Sequence, residues 1–175
     1  MVLLFIYVMI RQAKARPFQN EEPFAVTRSD EVIVSREGDD FIIHWDGEVS
    51  PSQVYVSSSP DSASSALLVA QVNGQKTVKV TGYDPKQRPY FRLRLKNGSS
   101  LTVAERFLPL KSVLNCRDMG GYETQDGKRV KWGQVYRCGN LARLSRSDQS
   151  YLTDLGIKLV CDLRTPFETR FKADI

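Results

Sequence analysis

Few residues in this chain can do chemistry: three cysteines (Cys116, Cys138, Cys161), one histidine (His44) and two arginine–aspartate groupings, Arg117-Asp118 and Asp162-Leu163-Arg164. A cysteine acts as nucleophile or metal ligand through its thiolate. An arginine fork grips carboxylate or phosphate oxygens through paired N–H bonds. The cysteine spacings match no zinc pattern, and an odd count is not a disulfide framework. Cys161 falls inside the apolar run Ile157 to Leu163 and reads as a buried small hydrophobe. His44 alternates with Ile43 and Trp45 on a strand, so it is expected on a solvated face without an acid–base partner. A metal site needs more ligands than it can offer, and neither metal nor cofactor is expected.

The elements that must position these groups are legible between Leu114 and Arg170. Met119-Gly120-Gly121 is a turn in which paired glycines permit positive φ. Gln125-Asp126-Gly127-Lys128 is an Asp-Gly hairpin signal, followed by the strand formers Val130, Trp132, Val135 and Tyr136. Ser145 with Asp148 three residues on is a capping box at the start of a helix. Leu152 and Leu155 carry the helix's apolar face, and Gly156 stops it. The run from Ile157 to Leu163 then suits a buried, parallel strand. Pro166 fits the first position of a further helix, with Glu168 as its capping carboxylate. A helix entering a buried strand is α/β architecture.

Three motifs here carry a resemblance. N-C-R-D-M-G-G-Y (115–122), D-G-K-R-V-K-W-G-Q-V-Y-R-C-G-N-L (126–141) and L-G-I-K-L-V-C-D-L-R-T-P-F-E (155–168) resemble the N-terminal part of the bacterial tyrosine phosphatase family. Its members typically read N-F-R-D-L-G-G-Y, R-x-G-x-L-F-R-S-G and L-G-I-x-x-V-I-D-L-R-S-x-x-E. The resemblance implies the first, incomplete part of an α/β cysteine-phosphatase domain over residues 109–175. It implies structural roles for Asn115, Arg117, Asp118, Gly120, Gly121, Arg137, Gly139 and Asp162, with Arg137 and Arg164 paired to Asp118 or Asp162. Arg164 is also a candidate substrate-binding residue facing an anionic-substrate pocket. Cys116 and Cys138 stand where the family more often has Phe and Ser, so they are read as packing variants, with a Cys116–Cys138 disulfide as the alternative in an oxidising compartment. The strand ending in Asp162-Leu163-Arg164 lies, in the family, beside the one leading into the phosphate loop.

The chemistry so implied is phosphate-monoester cleavage through a thiolate held by backbone N–H groups, an arginine on the phosphoryl oxygens and a carboxylic acid for the leaving group. Its signature is H-C-x-x-x-x-x-R. Six residues beyond Cys116, Cys138 and Cys161 stand Tyr122, Leu144 and Phe167, and His44 precedes Trp45. No catalytic residue is therefore expected within these residues. The chain reads as a fragment of a longer phosphatase or a truncated reading frame, inactive alone. A completed enzyme would act on a phosphorylated protein or a small phosphomonoester.

Upstream, the net charge of +5 comes from Lys and Arg spread along the chain, with no run of five basic residues, which excludes a nucleic-acid partner. Val2 to Ile10 is an unbroken apolar run followed by Arg11 and Lys14, with Ala13-Lys14-Ala15 as a small-x-small cleavage site. Met1 to Ala15 thus reads as a signal peptide, too short to span a bilayer, and implies periplasmic or secreted export. Membrane contact is expected only through this segment. If the run is instead a buried N-terminal strand, the protein is cytoplasmic. Residues 16–30 read as a linker. Residues 31–108 hold about seven short strands with turns between them, an all-β sandwich. Asn73-Gly74 is the strongest hairpin signal there, between Leu67-Leu68-Val69-Ala70 and Thr77-Val78-Lys79-Val80. Trp45, Tyr55, Tyr83-Asp84-Pro85, Tyr90-Phe91-Arg92-Leu93 and Asn97-Gly98 resemble a fibronectin type III domain, with the Trp in the core and a Tyr opening the penultimate strand. A non-catalytic exported module that binds protein or glycan through the sandwich is the alternative function.

Overall fold

The alternating stretch Phe41-Ile42-Ile43-His44-Trp45 buries Phe41, Ile43 and Trp45 almost completely and leaves the residues between them half-buried. In the computed structural model, which describes residues 7–10, 31–62, 65–84 and 87–171, the chain forms two compact units. One comprises Arg16–Glu105 with Gly121–Val130, the other Met1–Ala15, Arg106–Gly120 and Lys131–Ile175. The elements open with β1 (Tyr7–Ile10), followed by β2 (Val32–Glu37), β3 (Asp40–Trp45), β4 (Pro51–Ser57) and β5 (Leu67–Gln71). Next come β6 (Thr77–Val80), β7 (Tyr90–Leu95), β8 (Ser100–Val103), β9 (Arg117–Asp118) and β10 (Val135–Cys138). Helix α1 (Arg146–Asp154), β11 (Leu159–Asp162) and α2 (Pro166–Phe171) complete the series. The described chain is mostly β-sheet with few helices. The expected linker 16–30 and most of the expected signal peptide lie outside the described residues.

Strands β2 to β8 form a sandwich in the first unit. One layer has the order β2-β3-β6 and the other β5-β4-β7-β8, with every pairing antiparallel. Inward residues of both layers make one core, including Trp45 and Val54, with Phe41 tilted against Phe91 at 5.6 Å between ring centroids. Tyr83 meets Phe41 edge-on, at 6.2 Å. Fully burying an aliphatic or aromatic side chain of this size stabilises by roughly 1.5–3 kcal/mol, so this shared core holds the layers together. Arg36 caps one side: its guanidinium lies 4.3 Å over Phe41 and forms a two-pronged bond to Glu105, both side chains 15% exposed.

Gly38 (φ 62°) closes the hairpin between β2 and β3, and Asn97-Gly98 (Gly98 φ 88°) the one between β7 and β8. The expected Asn73-Gly74 hairpin does not form. Gly74 has the positive φ its turn requires, yet β5 pairs with β4 while β6 pairs with β3 in the opposite layer. Asn73-Gly74 is a crossover between layers. Val72, Val78 and Val80 all enter the core, and that burial decides the partnering over the local turn signal.

In the second unit the sheet order is β11-β1-β10-β9. Strand β1, within the stretch read as a signal peptide, pairs antiparallel with β10 on one side and β11 on the other. The expectation of a buried, parallel strand at 157–163 is therefore corrected. Strand β11 runs antiparallel to its neighbour, Leu159 and Val160 are 52% and 47% exposed, and Cys161 is only half-buried. The reason is that β1 takes the position beside β11 in the opposite direction, and the apolar run is left with substantial exposed surface. The unit's core gathers Leu108, Val113, Cys116, Tyr136, Leu141 and Leu152 with Cys138.

Helix α1 begins as its sequence dictates. The Ser145 hydroxyl accepts the Asp148 N–H at 3.2 Å, and Gly156 (φ 72°) ends the helix with its N–H on the Thr153 carbonyl. The Asp148 carboxylate points elsewhere than a capping box requires. Its Oδ2 accepts the N–H groups of Lys111 and Ser112, at 3.1 and 2.7 Å, and the Ser112 hydroxyl at 2.5 Å. Ser112 Oγ in turn accepts the Ser145 N–H, so the helix start is tied to the loop at 111–112.

Candidate functional site

The N-C-R-D-M-G-G motif is organised by the carboxylate of Asp118, which is fully buried. Its Oδ1 accepts the Gly120 N–H and its Oδ2 the Gly133 N–H, each at 2.7 Å. A buried carboxyl group is tolerable only when donors satisfy its oxygens, and those bonds fix the turn against the segment before β10. Gly120 is required here by space, since a Cβ would stand 2.4 Å from the Trp132 Cα. Gly121 is required by its φ of 80°. Arg106, which stands outside the three motifs, closes the same turn. Its guanidinium donates to the carbonyls of Asp118 (2.8 Å) and Gly120 (3.0 Å) and lies 4.9 Å over the Trp132 ring. Its only sequence signal is position, just ahead of the apolar Phe107-Leu108.

Asn115 is the one non-glycine residue with positive φ, at 56°, among those described. Asparagine tolerates this left-handed backbone better than most residues. Its role is to turn the chain so that Cys116 enters the core while the neighbouring Leu114 carbonyl accepts the Gly139 N–H at 2.9 Å. Gly139 is held by that contact, since a Cβ there would approach the Leu114 oxygen to 2.9 Å.

Arg117 and Arg137 stand directly opposite each other on β9 and β10. The Arg117 guanidinium lies 6.0 Å over the Phe107 ring, and its buried Nε makes no hydrogen bond. Arg137 forms no ion pair with Asp118 or Asp162 among the described residues; Arg164 does. Its Nε lies 2.9 and 3.0 Å from the two Asp162 oxygens and its Nη2 2.7 Å from Oδ2, with only 2% of the side chain exposed. The Arg164 N–H also donates to Asp162 Oδ1. Arg164 thus clamps the aspartate two residues before it.

None of the three cysteines is in a disulfide, Cys116 and Cys138 being buried and Cys161 half-buried, so the Cys116–Cys138 bridge is not formed. His44 faces the solvated side of the sandwich but has partners the sequence did not reveal: Thr77 Oγ1 at 3.0 Å and Asp46 Oδ2 at 3.1 Å. Thr77 lies opposite it across the β3–β6 ladder. In the hairpin at 121–130, Lys128 and then Thr124 hold the exposed Asp126 carboxylate down to about 2. The side chain of Glu168, expected as a cap, lies outside the described residues. No group of three His, Cys, Asp or Glu side chains suited to a metal ion occurs among the described residues.

Comparison with known proteins meets these motifs. A sequence model of the tyrosine phosphatase family matches residues 108–174. A provisionally named tyrosine-protein phosphatase of Cupriavidus necator is 41% identical over 61 residues, which cover 35% of this chain and 22% of that protein. The chain therefore spans about a fifth of the relative it matches. Among solved structures, pectate lyase Pel3 from Pectobacterium carotovorum superposes with a TM-score of 0.35 at 18% identity, over 50% of this chain and 29% of that one. At that score the likeness says nothing about fold or activity. The family match falls on the part of the chain that carries the Asp118 turn, β10 and the Asp162–Arg164 clamp.

Proposed function

We propose that residues 109–175 are the N-terminal portion of a cysteine-dependent protein tyrosine or dual-specificity phosphatase domain, preceded by a fibronectin type III-like sandwich. The observation that carries this reading is the family match over 108–174, falling on a motif whose glycines and Asp118 are each required by the local geometry. Strands β10 and β11 point the same way, because each is antiparallel to β1. The position between them is filled by β1. The sandwich reading is supported by Trp45 in the core and by the buried Tyr90 that opens β7.

These residues alone are proposed to be inactive, since no cysteine has an arginine six residues on. The test is hydrolysis of an aryl phosphate such as p-nitrophenyl phosphate by the purified chain. No turnover above buffer is expected, and turnover abolished by Cys116→Ser, Cys138→Ser or Cys161→Ser would refute the proposal. Export is proposed through Met1–Ala15, and it conflicts with retention of β1: a cleaved chain loses the strand that joins β10 to β11. The intact mass of the protein secreted from its source cells decides between the two. A second role, recognition of a protein partner by the sandwich, is favoured by β5, an edge strand that exposes Leu67, Leu68 and Val69.

A further inference from the structure

Phe107, Arg117 and Arg137 occupy one row across neighbouring strands: Phe107 bridges to Arg117, and Arg117 pairs with Arg137. Side chains directly opposite in an antiparallel pair share a face and stand about 5 Å apart at Cβ, so like charges there repel. Neither arginine has an ion pair or a side-chain hydrogen bond among the described residues, and the buried Arg117 Nε has no acceptor. Arg117 instead leans over Phe107, a contact at the ~6 Å limit of useful cation–π attraction. The ring it covers is itself 55% exposed.

We propose that Arg117 and Arg137 form a binding site for a phosphate-type dianion. Two adjacent guanidinium forks offer donors to several oxygens of one tetrahedral ion. A doubly charged oxyanion neutralises both arginines at once, which a single carboxylate does not. The exposed Phe107 ring at the end of the row adds an apolar surface for the organic part of a phosphomonoester. The site is independent of the catalytic reading above, because it involves no cysteine and no turnover.

The test is titration of the full chain with inorganic phosphate and, separately, phenyl phosphate, at constant ionic strength set with chloride, followed by the arginine Nε–H signals in NMR. Saturable shifts of Arg117 and Arg137 are expected with both probes. Tighter binding of phenyl phosphate would assign the site to a phosphomonoester, and equal binding to free phosphate. Arg117→Gln and Arg137→Gln are each expected to weaken binding roughly 10–100-fold, the loss of hydrogen bonds to a charged partner. Both should leave the urea midpoint unchanged or raised, since they remove like-charge repulsion. Arg137→Lys, which keeps the charge but not the fork, should bind with intermediate affinity and serves if a Gln variant fails to fold. Shifts that do not saturate, that chloride reproduces, or that survive in the double Gln variant would overturn the site.

Discussion

Replacing Asp118 by alanine should cost the second unit more than any other single change in its polar framework. The carboxylate is fully buried and accepts the N–H groups of Gly120 and Gly133, each at 2.7 Å. A buried donor left without its acceptor costs about 1–3 kcal/mol, so two put the loss at roughly 2–6 kcal/mol before any cavity term. That is a large fraction of the roughly 5–15 kcal/mol typical of a whole domain. Asp118→Asn is the informative control. Its amide keeps one acceptor oxygen but turns an NH2 toward the second donor, so about half the loss is expected. The assay is urea unfolding followed by Trp132 emission in a Trp45→Phe background, because Trp132 packs against Gly120 and Trp45 belongs to the sandwich core. With a urea slope of about 1–3 kcal/mol/M, the Asp118→Ala midpoint should fall by about 1 M or more. A shift equivalent to less than 1 kcal/mol, or equal losses for Ala and Asn, would refute the view that this carboxylate holds the turn.

Three further outcomes follow from the same geometry. Gly139→Ala should destabilise by about 1–3 kcal/mol, because its Cβ would meet the Leu114 carbonyl at 2.9 Å, and Gly120→Ala should be worse at 2.4 Å from Trp132 Cα; thermal melts of both variants check the order. Burial pushes the Asp148 carboxyl up, but bonds from the Ser112 hydroxyl and N–H, the Lys111 N–H and Ser145 outweigh it and hold it below its ordinary value. Its folded pKa being depressed, its stabilisation is present above about pH 4 and fades as pH falls below that, so Asp148→Asn should lower stability at neutral pH and flatten the acid limb of a pH–stability curve. In the folded chain a maleimide should label Cys161 first, with Cys116 and Cys138 reacting only on unfolding, as mass spectrometry of timed samples would show.

The local signals of the sequence were reliable where one residue type has few conformations open to it. Gly38, Gly98, Gly121 and Gly127 all take the positive φ their turns require, and Ser145 caps the helix that Gly156 ends. Period-two alternation placed Phe41, Ile43 and Trp45 in a core without reference to anything else. The turn at Gly120-Gly121 was legible from its paired glycines, whereas Asp118 was named only through the resemblance of its motif to the phosphatase family.

Tertiary structure decided which elements meet. Asn73-Gly74 specifies a turn whether its strands pair with each other or, as here, with strands of opposite layers, since the choice rests on where Val72, Val78 and Val80 find their core. Strand β11 is an apolar run that a sheet could bury or leave open; its neighbour β1 comes from the far end of the sequence, and no local pattern encodes that pairing. Arg106 over Trp132, His44 beside Thr77, and Arg117 facing Arg137 are likewise contacts between residues brought together by register. Sequence by itself determined backbone conformation and inward-facing positions, because those depend on a residue and its near neighbours. The partners of Asp118, Asp148 and the two arginines became definite only when hydrogen bonding and burial across distant segments were satisfied together.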